Sequence, residues 1–402
     1  MKLLQINTTV NTGSTGRLTE EIGQILQEQG HESYIAYKNA GPNGSRSKTI
    51  QIGNKLDIYM HGVKTRLMDR HGFGSKRATR NLVEEIIRID PDVIGLHNLH
   101  GYYLNVEVLF NYLKKVQKPV VWTFHDCWPF TGHCSYFDYA ACEKWKTECH
   151  DCPLSDKYPG SWLADNSREN YHQKKELFNG LENLTIVTPC HWLKNLVGQS
   201  FLSGYPLKVI RYGIDLDLFK PVNAEAIKSQ YNLRGKNILL GVASVWDRRK
   251  GFKYFIELSK RLDDSFKLVL IGLPEKKIGA LPENIIGIPR TENIEELVAF
   301  YSAADVFINL TLADNFPFTN LEALACGTPV ITFDTGGSTE AIDENTGLVA
   351  ARGNIDDLYK SILTLCNEDL SKYRENCRNR SLASFDKNDR YRDYLNLYKQ
   401  VQ

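Results

Sequence analysis

The sequence predicts an α/β protein made of two doubly wound parallel sheets, and three observations carry that prediction. Short, continuously apolar runs alternate with longer amphipathic stretches; the alternation is interrupted and then resumes as a second series; and 402 residues exceed one ordinary core. Strands covered on both faces by helices read as unbroken hydrophobic runs, unlike the alternating pattern of a half-exposed sheet.

In chain order, KLLQIN (2–7) precedes the amphipathic RLTEEIGQILQEQG (17–30) and then SYIAYK (33–38). PDVIGLHN (91–98), VEVLFNYLKKV (106–116) and VVWTFHD (120–126) repeat the strand, helix, strand order. A cysteine-rich insert at about 127–160 follows, and LTIVTPC (184–190) and LKVIRYGID (207–215) resume the series. The turn-prone DLDLFKPVN (215–223) separates it from a second set: NILLGVASV, FKLVLIG, IIGIP, DVFINLT, TPVITF and TGLVA. These divisions give domains at 1–212 and 213–384, with the boundary near Tyr212 to Pro221 and a cleft between them. In the tail 385–402, Tyr391, Tyr394, Leu395 and Tyr398 recur at helical spacing, predicting a terminal helix packed on one domain or across both.

Lys plus Arg (49) and Asp plus Glu (48) nearly cancel, so net charge points to no nucleic-acid partner. Gln5, Asn7 and Thr8 break the first apolar stretch before signal-peptide length, and no run reaches a membrane span. The expectation is a cytoplasmic protein, for which peripheral contact with the inner face of the membrane is compatible. Thiols stay reduced in that compartment, which favours metal ligation or buried free cysteines over disulfides.

Ligands of doubly wound sheets bind beyond the carboxyl ends of the strands. In the second domain, GVASV ends at Arg248, Arg249, Lys250 and Gly251, three cations suited to a diphosphate and a glycine that permits close backbone approach. Further on, DNFPFTNLEALACGTPVITF places a loop before a helix whose N–H groups and dipole favour an electron-rich oxygen. Asp314 and Glu322 flank that loop, and carboxylates accept the paired hydrogen bonds of vicinal hydroxyls. Taken singly, RRKG reads better as a solvated turn, and the pair of acids as Asp314 beginning a turn and Glu322 as an ordinary N-terminal helix carboxylate.

In order and spacing, these two segments resemble the nucleotide-sugar-binding domain of retaining glycosyltransferases of family 4, which have the GT-B fold. TGSTGRLTEEIGQILQEQGHE (12–32), IDPDVIGLHNLHGYYLN (89–105) and VVWTFHDCWPFTGHC (120–134) are similar to the family's first domain, within the subgroup of colanic-acid and capsular polysaccharide assembly. The resemblance implies a UDP- or GDP-sugar donor, a glycan or lipid-linked acceptor, and transfer that needs no metal for catalysis. It implies Lys250 as a diphosphate ligand, Glu322 as the ribose ligand, Asp314 on the sugar, and Asn315, Phe316, Thr319 and Asn320 along sugar and phosphates. It places His125 near the reacting carbon, with Asp126 orienting it or meeting an acceptor hydroxyl. Gly13 and Gly16 suit close approach of backbone to a ligand; His97 and His100 are secondary candidates. Two positions depart from the pattern: Asp314 stands where the family has Glu, and Val245 where it has Arg, so Arg248 or Arg249 supplies that charge. These departures are also the best sequence support for the alternative, a GT-B scaffold or sugar-nucleotide-binding protein without catalysis.

Cys134, Cys142, Cys149 and Cys152 end in C-x-x-C-P, and four such ligands would close a structural zinc site, with His133 and His150 as substitutes. Unligated thiols, a disulfide pair and an iron–sulfur cluster are the competing readings, and Cys127 is unassigned.

Overall fold

A computed structural model describes residues 1–41 and 44–402. The chain divides into two compact units, Met1–Arg211 with Asn388–Gln402, and Tyr212–Lys387.

The first unit carries β1 (Lys2–Ile6), β2 (Thr9–Val10), β3 (Glu32–Tyr37), β4 (Asn39–Ala40), β5 (Lys48–Gln51), β6 (Val93–Leu96), β7 (Val120–Thr123), β8 (Leu184–Thr188) and β9 (Leu207–Val209). Seven of these form one parallel sheet in the order β5-β3-β1-β6-β7-β8-β9, while β2 pairs with β4. Winding runs outward from β1 in one direction and from β6 in the other, so the switch point lies between them. Leu3, Leu4, Ile6, Val93, Ile94, Val120 and Trp122 are all buried, the two-sided cover expected of central parallel strands. The helix Lys387–Val401 counts almost wholly with this unit: Tyr391 donates to Glu21 at 2.8 Å, and Tyr394, Leu395 and Tyr398 are buried.

From Phe124 to Asn166 the chain forms no strand or α-helix, only three short 3-10 turns, Trp128–Phe130, Asp138–Ala140 and Lys144–Lys146. An aromatic cluster organises it: Phe137 stacks on Trp145 at 5.1 Å, and Phe130 meets Trp145 edge-on at 5.3 Å.

The second unit carries β10 (Asn237–Val242), β11 (Phe266–Ile271), β12 (Ile285–Ile288), β13 (Val306–Asn309), β14 (Val330–Phe333) and β15 (Gly347–Ala350) in one sheet, ordered β12-β11-β10-β13-β14-β15 with every pairing parallel. Its switch point falls between β10 and β13. The loops that leave those two strands hold Lys250 and Asp314. Among the described residues no helix is long and apolar enough to cross a membrane.

Candidate active site

The loop after β10 is shaped by one glycine. Gly251 has φ +71°, and a Cβ there would lie 2.0 Å from the Leu310 carbonyl oxygen, so only glycine lets the loop press against the end of β13. The loop is then stitched to its neighbour: Leu312 N–H donates to Arg249 O at 2.7 Å, and Arg249 Nη1 donates to Ala313 O at 2.8 Å. Lys250 Nζ donates to Asp314 Oδ2 at 2.7 Å, with Arg249 Nη1 3.6 Å from the same oxygen. Burial alone would raise the Asp314 carboxyl, but Lys250 and Arg249 outweigh it and hold the pKa below its ordinary value. Three predicted residues thus converge across the switch point, while Arg248 is exposed and Val245 is 65% exposed. Of the two arginines proposed to replace the family's, Arg249 is the one turned to this crevice.

Beyond Asp314 the chain enters the helix Phe318–Ala325 with Pro317 as N-cap and no side-chain cap or first-turn acid to compete for its amides. Glu322, in its second turn, is buried and accepts from Tyr301 Oη at 2.8 Å. Asn320 is committed elsewhere: it accepts from Asn309 Nδ2 at 2.8 Å and donates to Ser338 O at 3.1 Å. Phe316 is buried with its ring toward Tyr212 and Phe385, and Asn315 is buried, whereas Thr319 is part-exposed. The side chains of Phe316 and Asn320 therefore build the loop. A further element escaped the sequence reading: Gly336, φ +55°, lies where a Cβ would sit 1.8 Å from Asp314 O, so the turn after β14 closes on the same crevice.

In the first unit, His97 follows β6 and His125 follows β7, and their rings stack at 5.5 Å with His97 Nδ1 3.2 Å from His125 Nε2. Gln5 fixes the tautomers. Its Nε2 donates to Thr19 O at 2.8 Å, which turns Oε1 toward His97 Nε2 at 3.2 Å. His97 then donates through Nε2 and accepts through Nδ1 from His125 Nε2. Burial pushes the His125 imidazole down to about 4, against the pull of Asp126, and His97 falls well below its ordinary value for the same reason. Asp126 faces a different histidine: its Oδ2 lies 2.7 Å from His100 Nε2, its Oδ1 accepts from Trp128 N–H at 2.9 Å, and His100 Nδ1 meets Tyr158 Oη at 3.0 Å. Burial raises that carboxyl, and His100 and the Trp128 amide bring it below the carboxylate range.

Gly16 sits inside the helix Gly13–Glu28, and a Cβ there would lie 2.6 Å from Thr9 Oγ1. Its smallness serves helix-to-strand packing, while Gly13, at φ +64°, has open space around it. Cys134, Cys142, Cys149 and Cys152 line one small pocket. Among the described residues, however, no three His, Cys, Asp or Glu side chains are disposed as a metal-holding group, so the zinc expected from the spacing has no formed ligand set. His133 is withdrawn from any such set, its Nδ1 bound to Asp69 Oδ1 at 2.5 Å, and His150 pairs with Asp151 at 2.9 Å.

The family model for Glycosyltransferase Family 4 matches residues 15–218, and that for Glycosyl transferases group 1 matches residues 223–383. The chain belongs to glycosyltransferase family 4. It is 25% identical to the colanic acid biosynthesis glycosyl transferase WcaC of Escherichia coli K12, across the full length of both proteins. It is 28% identical over 202 residues to the N,N'-diacetylbacillosaminyl-diphospho-undecaprenol alpha-1,3-N-acetylgalactosaminyltransferase of Campylobacter jejuni, covering 47% of this chain and 53% of that protein. Anabaena HepE, solved in complex with UDP, superposes with a TM-score of 0.71 at 14% identity over 100% of both chains. Sucrose-phosphate synthase of Thermosynechococcus elongatus gives 0.70 at 17% identity over 100% of this chain and 98% of that one. These likenesses establish the GT-B fold of this glycosyltransferase.

Proposed function

We propose that this glycosyltransferase moves a sugar, with retention of configuration, from a nucleoside-diphosphate-sugar donor to a hydroxyl of a glycan or lipid-linked acceptor in bacterial surface-polysaccharide assembly. The observation that carries the reading is the meeting of Lys250, Arg249 and Asp314 at the switch point of the second sheet, beside the uncapped helix that bears Glu322. The UDP held by HepE supports the donor class, and the names of the Escherichia and Campylobacter relatives support the pathway and acceptor class.

Departure of the donor diphosphate places negative charge on its oxygens and positive charge on the sugar ring. Lys250, Arg249 and the amide at Thr319 meet the first charge, and Arg248 adds to it from the rim. Asp314 holds Lys250 in place and turns its second oxygen and backbone to the sugar, with Asn315 beside it. Glu322, oriented by Tyr301, accepts from the ribose hydroxyls. In the first unit, the acceptor-side domain, His125 serves the transfer near the reacting carbon, and Asp126 with His100 receives the acceptor. The C1–O bond to the diphosphate breaks as the acceptor oxygen bonds to C1 on the same face, and the acceptor proton passes to the departing phosphate oxygen. Side-chain cations and helix amides neutralise the leaving group in this scheme, and catalysis needs no metal ion. Asp215, the first carboxylate of the D-L-D triplet, caps the turn to Leu218 and pairs with Lys387 at 2.6 Å.

A screen of UDP- and GDP-sugars that follows nucleoside diphosphate release, with and without acceptor glycans, tests the proposal. Release with a particular donor, stimulated by acceptor, is the expected result; binding without turnover for every pair points to the scaffold, and neither binding nor turnover overturns the proposal.

A further inference from the structure

The helix Lys55–Met68 carries its apolar side outward. Its buried residues are His61 and Thr65, and hydrogen bonds hold them there: His61 Nε2 accepts from Gly72 N–H at 3.2 Å and Gly74 N–H at 3.3 Å, His61 Nδ1 lies 2.9 Å from Ser75 Oγ, and Thr65 Oγ1 donates to His61 O at 3.0 Å. At about 100° per residue, Leu56, Tyr59, Met60, Val63 and Leu67 fall on the opposite side in one stripe about 16 Å long. Leu56, Tyr59 and Met60 are each more than half exposed, Leu67 is exposed and Val63 is half-buried. Single exposed apolar residues are ordinary on a protein surface, but a contiguous stripe on a helix anchored by its polar side marks a contact surface.

The loop that follows Tyr158 extends the stripe. Trp162 N–H donates to Arg66 O at 2.7 Å, the Arg66 guanidinium lies 5.5 Å from the Trp162 ring, and Arg66 Nη1 donates to Pro159 O at 3.1 Å and Gly160 O at 3.2 Å. Trp162 is 73% exposed and Leu163 79%, so two large apolar side chains stand in solvent beside the end of the helix. The charges around them are positive. Lys55 is exposed at one end of the stripe and Arg66 flanks the other, while the acids on these segments are tied to backbone: Asp57 Oδ2 accepts from Asn54 N–H at 3.0 Å, and Asp165 Oδ1 from Ser167 N–H at 2.9 Å. Two copies of this face brought together would set cation against cation whichever way the helices ran. A layer of anionic headgroups answers Lys55 and Arg66 instead, and lets Tyr59 and Trp162 sit at the boundary between polar and apolar.

We propose that the outer face of the helix Lys55–Met68, with Trp162 and Leu163, is a docking surface for a lipid bilayer that displays anionic headgroups. The helix has 14 residues, too few to span, and lies flat with its stripe in the headgroup boundary. The same loop runs back to the acceptor side of the first unit: Tyr158 Oη meets His100 Nδ1 at 3.0 Å, and Tyr102 Oη donates to Pro159 O at 2.9 Å. The bilayer is thereby brought beside the residues proposed to receive the acceptor, the placement that a lipid-linked acceptor needs. That link rests on the role proposed for Asp126 and His100; vesicle binding does not.

Full-length protein is floated with vesicles of phosphatidylcholine alone and of phosphatidylcholine mixed with phosphatidylglycerol, and its tryptophan emission is followed as vesicles are added. Trp162 is the exposed one of the six tryptophans, so its entry into the boundary shifts the emission to the blue. The expected result is binding to the anionic vesicles that weakens as salt is raised, and that is at least about tenfold weaker for Trp162→Ser with Leu163→Ser and for Leu56→Gln with Met60→Gln. Ile87→Ser, a change at an exposed position of the helix Lys76–Ile89, leaves binding unchanged. The altered side chains stand in solvent, so the variants keep the melting temperature of the wild type. No vesicle binding by the wild type, undiminished binding by the paired variants, or equal binding to neutral and anionic vesicles overturns the proposal. So does a dimer, seen by light scattering, that the variants dissociate, which assigns the face to a second copy. These assays contain no sugar donor, so their outcome is separate from that of the transfer reaction.

Discussion

Lowering the pH from 7 to 5 strips stability from the first unit, because four of its histidines are built in as neutral imidazoles. His61 Nε2 accepts the amides of Gly72 at 3.2 Å and Gly74 at 3.3 Å, His71 Nε2 accepts Gly101 N–H at 3.0 Å, and His97 accepts from His125. A protonated ring has no lone pair for these bonds. Burial brings His61 down to about 3 and His125 to about 4, and it holds His71 and His97 well below the ordinary value. The folded pKa values lie below the unfolded one, so the unfolded chain binds more protons as pH falls past about 6.5, and stability is lost in that direction. Integrated between pH 7 and 5, His61 and His125 each contribute a loss of about 1.9 kcal/mol, and His71 and His97 add to it in the same direction, a large part of the stability of an ordinary domain. His133, raised by Asp69 against the effect of burial, is protonated in both states over most of this window and adds little slope. Five of the six tryptophans lie in the first unit, so denaturation followed by tryptophan fluorescence reports on it. His71→Asn is expected to reduce the loss of stability between pH 7 and 5. An unfolding free energy that is flat from pH 7 to 5, or imidazole NMR shifts titrating near 6.5 at these positions, refutes the reasoning.

Three further outcomes follow from the same geometry. Gly251→Ala must leave the left-handed region and clear the Leu310 carbonyl, so it is expected to destabilise the second unit by about 3 kcal/mol and to weaken donor binding, read by thermal melting and by titration calorimetry. Tyr301→Phe removes the phenol that orients Glu322; the donor KM is expected to rise about tenfold with kcat nearly unchanged, and a fall in kcat alone contradicts the ribose assignment. His125→Asn is expected to lower kcat about a hundredfold while donor affinity persists, and retained turnover removes His125 from the reaction.

Much of the fold was legible because buried parallel strands announce themselves: VVWT and VITF are each a central strand buried along its whole length. The strand Lys48–Gln51 escaped because it is a sheet edge with largely exposed side chains and carries no hydrophobic signature. Lys250, Asp314 and His125 were singled out by position after a strand, and Lys250 and Asp314 meet because the loops leaving β10 and β13 face each other at the switch point of the second sheet. Their partners were less accessible. Gln5 stands inside an apolar run as a polar interruption, and that was the available signal; Tyr301 looks like any core aromatic of an amphipathic helix. Gly16 misled for a physical reason: a missing side chain serves tight helix packing as well as ligand approach, and only the 2.6 Å to Thr9 separates the two. The terminal helix was legible from its tyrosines, whereas its place in the first unit depends on contacts such as Tyr391 with Glu21, far apart in sequence.

Donor recognition at the Lys250–Asp314 crevice is the central claim, and calorimetric titration of the wild-type protein and Lys250→Ala with UDP, GDP and their sugar conjugates tests it most directly. One nucleotide class is expected to bind the wild type and to bind the variant at least about a hundredfold more weakly, because a charge-assisted contact to the diphosphate is gone. Equal affinity of the two proteins, or no binding of any nucleotide to the wild type, contradicts it.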